Sequence, residues 1–76
     1  MARLVKFERG QLDRFQLHDP IDAKYYVHEW DGRKMLQIST FGRTSRQIPG
    51  KVSQTIQMNE DAAKELYSLL KETFGF

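Results

Sequence analysis

Tyr26, His28 and Trp30 alternate along one short stretch, with Lys24 before them and Arg33 just after. In an extended strand, alternate side chains share a face about 6.6 Å apart. Aromatic platforms beside cations are the chemistry of single-stranded nucleic-acid binding, because each base offers a π-face and each phosphate a charge. The polar stretch 42–51 adds Arg43, Arg46 and Lys51. The expected contact set is therefore Lys24, Tyr26, Trp30, Arg33, Arg43, Arg46 and Lys51. Tyr, Trp and Arg are also the usual hot spots of protein interfaces. A protein–protein interaction module, adaptor or inhibitor, using the same face is the second expectation. In that case Trp30 and Arg33 would be a cross-strand cation–π pair under a partner. A third is an accessory subunit of a larger enzyme.

Other chemistries are poorly supplied. His18 and His28 each adjoin a carboxylate, Asp19 and Glu29. Adjacent strand residues point to opposite faces, so neither pair chelates simply, and no His/Cys ligand framework is present. No metal and no cofactor is expected. Ser39, Ser45, Ser53 and Ser68 lack a nucleophile-elbow motif. Asp13, Asp19 and Asp22 fall in a turn-rich stretch and fit turn capping better than paired acid–base work. Gly50-Lys51 lacks the remainder of a phosphate-binding loop. An enzyme is not expected.

The elements that must position the aromatic-basic residues follow from pattern. Asp31-Gly32 between two strand-like runs is a hairpin signal, since a type I′ turn needs positive φ at both central positions. The resulting register sets Trp30 opposite Arg33 and Val27 opposite Leu36. It sorts Ala23, Tyr25, Val27, Leu36 and Ile38 onto a core face. Lys24, Tyr26, His28, Trp30, Arg33, Met35, Gln37 and Ser39 take the other. Residues 3–8 alternate and predict a first strand. Residues 11–22, with Leu12, Phe15 and Leu17, predict a loop lidding the core. Residues 52–58 predict a further strand with Val52, Ile56 and Met58 inward, and Gln54 either an inward misfit or the sign of a bulge. Asn59 then reads as a helix N-cap with Glu60 and Asp61 in the first turn, and Gly75 as the C-terminal cap. Ala63, Leu66, Tyr67, Leu70 and Phe74 form a helical stripe expected in the core. The expected fold is α+β: one small domain over residues 1–76, with an antiparallel sheet of about four strands in β-β-β-β-α order backed by the C-terminal helix.

The balance of 39% hydrophobic and 29% charged residues suits a globular domain with a thin core. Such domains often need a disulfide, a metal or a partner chain. With no cysteine in the sequence, self-association is the device left, and a homodimer is expected. The net charge is +2, unevenly distributed: residues 33–58 hold five basic residues and no acidic one. A positive half of the sheet would suit phosphate. The first ten residues show no apolar core of a secretory signal, and no apolar run is long enough to span a membrane. The expected compartment is cytoplasmic.

Strands followed by one C-terminal helix resemble the PC4-type transcriptional coactivator fold and its small bacterial relatives. The local likeness covers about residues 50–70: Gly50-Lys51, then Thr55-Ile56-Gln57-Met58-Asn59-Glu60, then the helix. The resemblance implies a homodimer, packed partly through its helices and binding single-stranded nucleic acid on its sheet, and the expected role of such a module is regulatory. By motif it carries over Lys51 alone.

Overall fold

The computed structural model describes residues 1–42 and 52–76. Arg43, Arg46 and Lys51 lie outside the described residues. The elements run β1 (Ala2–Leu4), β2 (Ala23–Trp30), β3 (Arg33–Phe41), β4 (Val52–Met58) and α1 (Glu60–Phe74). One four-stranded sheet in the order β1-β4-β3-β2, with the C-terminal helix, makes an α+β fold.

The hairpin forms as its turn chemistry demands. Asp31 and Gly32 adopt φ of 52° and 75°, the two positive values that match the twist of the flanking strands. β2 and β3 then pair from Trp30↔Arg33 through Ala23↔Thr40 without a slip. β4 joins β3 antiparallel, with Leu36↔Met58 and Ile38↔Ile56 in register. Between Thr40↔Gln54 and Phe41↔Val52, β4 carries one extra residue, Ser53. This bulge corrects the expected strand face. Gln54 keeps the register of Thr40 on the apolar side, while Val52 is shifted to the register of Phe41 instead of facing the core.

The first strand departs from expectation in length and direction. It spans three residues, not the six of 3–8, and it pairs with β4 in parallel, Ala2↔Ile56 to Leu4↔Met58. The sheet is thus mixed, though mostly antiparallel. The cause of the early end is β4 itself. Leu4 lies opposite Met58, the last residue of β4, so Val5 has no strand left to pair with. The chain turns instead along the helix, where the Phe7 backbone N–H donates to Glu65 Oε2 at 2.8 Å.

The helix begins where Asn59 allows it to. Its side-chain oxygen accepts from the Ala62 N–H at 3.0 Å, and Glu60 and Asp61 oppose the dipole in the first turn. Gly75 closes the other end in the left-handed conformation (φ 73°), donating to the Lys71 carbonyl at 2.9 Å.

Packing of this helix corrects the expected core stripe. Ala62, not a stripe residue, is the buried contact, beside buried Met58. Successive residues turn about 100°, so Leu66 lies about 40° from Ala62, Leu70 about 80°, Phe74 about 120° and Tyr67 about 140°. Among these four residues exposure rises with that angle. Leu66 is half-buried and Leu70 exposed, while Phe74 and Tyr67 reach 65% and 66%. The stripe is real, but it is rotated off the sheet. The stretch 11–22 does not lid the core either: Leu12, Phe15 and Leu17 are all exposed. This stretch belongs to the connection from β1 at one sheet edge to β2 at the other.

Candidate nucleic-acid interface

Period-two geometry and the register of four strands place two sets of side chains on opposite sides of the sheet. Leu4, Ile56, Met58, Leu36, Ile38, Val27 and Tyr25 share the side on which α1 lies. The helix start, with Asn59, Asp61 and Ala63, walls a cavity there with Val27, Leu36 and Met58. The other side carries Arg3 from β1, Thr55 and Gln57 from β4, Met35, Gln37 and Ser39 from β3, and Lys24, Tyr26, His28 and Trp30 from β2. Arg33 joins them at the hairpin end.

The centre of this second side is a polar ladder. Gln57 Nε2 donates to Gln37 Oε1 at 2.9 Å, and Gln37 Nε2 donates to Ser39 Oγ at 3.3 Å. The Ser39 and Thr55 hydroxyls lie 3.4 Å apart. The small Ser39 side chain is buried with its hydroxyl thus bonded, and no buried side-chain polar atom among the described residues lacks a partner. The ladder ties β3 to β4 from outside and fixes the amides in position.

At the hairpin end the face deepens into a cavity of about 490 Å³, lined by Arg3, His28, Glu29, Trp30, Met35, Gln37 and Gln57. All four strands contribute to it. The indole of Trp30 is 76% exposed, so it forms a wall and not a core. The Arg3 guanidinium supplies a cation with fixed fork geometry and the glutamine amides supply donors and acceptors. A planar ring could stack on Trp30 with an anion on Arg3. Among the described residues, no cluster of His, Asp and Glu could hold a metal ion.

Of the expected contact residues Trp30 lines this cavity, while Lys24, Tyr26 and Arg33 share its sheet face without lining it. Lys24 stands about 20 Å from Trp30 along β2 by strand rise. Its ammonium lies over the Phe41 ring, 5.4 Å from the centroid. That pair anchors the far end of β2, as does the Phe41 N–H donating to the Asp22 carbonyl at 3.2 Å. Arg3 is the residue the sequence did not single out. Its membership depends on β1 pairing in parallel with β4, a contact 54 residues apart that no local pattern encodes.

No family model, curated protein or solved structure is significantly similar to this chain. Among the described residues, no helix is long and apolar enough to cross a membrane.

Proposed function

We propose that this protein binds single-stranded DNA or RNA on the sheet face turned away from α1, in a regulatory and non-enzymatic role in the cytoplasm. The observation that carries this is the exposed Trp30 ring in a cavity shared with Arg3 and the Gln37–Gln57 amide pair. Bases would stack on Trp30 and Tyr26, which face the same way four residues apart. Arg3, Arg33 and Lys24 would meet phosphates, joined by Arg43, Arg46 and Lys51, which lie outside the described residues. The amides offer hydrogen bonds to base edges but no fixed bidentate match to one base, so sequence preference would be weak. The PC4-type resemblance points to the same class of ligand.

The test is a titration with oligo-dT followed by fluorescence of the single tryptophan, at low and near-physiological salt. Quenching that weakens steeply with salt is expected, since phosphate contacts release counterions. Absence of quenching at low salt would overturn the proposal.

One observation favours a second reading, a protein-interaction module. β2 is an eight-residue edge strand whose outer side pairs with no other strand among the described residues, and an extended peptide could add there as a fifth strand beside Tyr26 and Trp30. A partner of that kind would be lost only gently as salt rises.

A further inference from the structure

The backbone hydrogen-bonding groups of β2 divide into two sets. Across an antiparallel pair, directly opposite residues alternate between those that exchange both backbone hydrogen bonds and those that exchange none. The Phe41 N–H donates to the Asp22 carbonyl at 3.2 Å, and these two residues stand opposite one another in the continuation of the Ala23↔Thr40 register. Asp22 and Phe41 are therefore a bonded pair, and by alternation so are Lys24–Ser39, Tyr26–Gln37, His28–Met35 and Trp30–Arg33. Ala23, Tyr25, Val27 and Glu29 turn their N–H and C=O groups the other way, to the outer edge of the sheet. No strand among the described residues pairs with them there. Their side chains lie on the helix side, where Tyr25 is 74% exposed and Val27 68%.

Sheet edges are ordinarily blunted by brevity, proline, a bulge or a charged side chain in mid-strand. β1, at the opposite edge, has three residues. β2 has eight, with no proline and no slip in its register. Its one lysine, Lys24, stands near the start of the strand, with its ammonium over the Phe41 ring. The outward-facing residues span about 20 Å by strand rise. The two faces along that line differ in chemistry. On the helix side Tyr25 and Val27 are apolar, and Glu29 already faces Lys34 across the hairpin. A cavity of about 700 Å³ lies there between Val27, Leu36 and Met58 of the sheet and Ala63 of α1. On the outer side β2 places Lys24, Tyr26, His28 and Trp30, with Arg33 opposite Trp30 and no carboxylate.

We infer that the β2 edge takes an extended segment of another protein whose residues alternate between apolar and acidic. Its backbone pairs with the outward N–H and C=O groups of Tyr25 and Val27, adding a fifth strand. The positions of the segment beside Tyr25 and Val27 are apolar, because their side chains extend the floor of the cavity under α1. The positions on the outer side are acidic, because Lys24 and Arg33 stand at the two ends of that side and opposite charges on neighbouring strands attract. The inference rests on the second reading above and adds to it which backbone groups bind and what the partner carries. It is independent of nucleic acid on the outer face.

The first measurement is amide hydrogen exchange of the free protein, resolved by NMR. The Tyr25 and Val27 amides are expected to exchange far faster than those of Tyr26 and His28. Equal protection would mean that the edge is already taken, and would overturn the inference. A displayed library of random peptides of about ten residues is then selected against the unmodified protein. The selected peptides are expected to alternate apolar and acidic residues, and to protect the Tyr25 and Val27 amides on binding. Val27→Pro removes one outward N–H while leaving the β2–β3 ladder its bonds, and should weaken such a peptide about tenfold. Should that variant fail to fold, protection of the two amides in the unmodified protein decides alone. Selected peptides that leave both amides exchanging as before would overturn the edge placement while keeping a protein-interaction role. A selection that yields no peptide would overturn both. Oligo-dT should leave the two amides unchanged, and protection by it equal to a peptide's would assign the edge to nucleic acid and overturn the inference.

Discussion

The two faces of the sheet are built on opposite principles. The helix face is apolar and held by few contacts: Met58 and Ala62 are buried, while Tyr25 and Val27 on the same face are bare. No described helix or strand lies over the outer face, yet it is stitched together by side-chain hydrogen bonds from Gln57 through Gln37 to Ser39 and Thr55. Apolar surface gains its stability only when something lies on it. A polar ladder holds its shape without a cover. The described residues therefore leave the first face partly open, and the second keeps its arrangement through its own hydrogen bonds.

That contrast can be broken at either face. The largest effect is expected from Met58→Ala, which removes the buried side chain joining β4 to the helix and should cost about 2–5 kcal/mol. Chemical denaturation would read it, and an unchanged midpoint would mean the helix face is not where stability resides. Trp30→Ala should leave that midpoint nearly unmoved but cost about 1–3 kcal/mol of single-strand affinity, measured by anisotropy of a labelled oligonucleotide. A stability loss as large as that of Met58→Ala would instead make Trp30 a packing residue. Asn59→Ala removes the cap on α1 and should destabilise by about 1 kcal/mol, visible as a lower thermal midpoint by circular dichroism. The smallest effect sharpens the role of the cavity. Arg3→Ala should weaken binding to all sequences and flatten the log–log salt slope by about 0.7, the value of one phosphate contact on a single strand. An unchanged slope would remove Arg3 from the phosphate path.

What was legible in the sequence was local. Asp31-Gly32 fixed the hairpin and, through it, the face on which Tyr26, Trp30 and Arg33 stand. Asn59 and Gly75 marked the helix ends because capping is a matter of neighbouring residues. The bulge was half legible, since Gln54 broke the inward pattern, but the extra residue proved to be Ser53. Non-local facts were not legible. The parallel pairing of β1 with β4 shortens the first strand and brings Arg3 to the cavity. Periodicity gave the helix its apolar stripe but could not say how the helix would be rotated over the sheet, so Ala62 was missed and Tyr67 misplaced. The stretch 11–22 has an apolar content that suits a lid, yet composition alone does not say what it will touch.

The parallel pairing of β1 has a consequence for the order in which the fold can assemble. β2 and β3 meet across a two-residue turn, an event of microseconds, and β4 can dock on β3 once the intervening loop closes. β1 can pair only after β4 is in place, and it does so across more than fifty residues of chain. Ordering so long a loop for three residues of ladder is the least rewarded step, with the largest entropic cost to meet before any contact forms. The amino-terminal strand should therefore be the last to join and the first to leave. Native-state hydrogen exchange should find its amides opening at a lower free energy than those of the hairpin. Because Arg3 rides on that strand, the completeness of the Trp30 cavity would rise and fall with it.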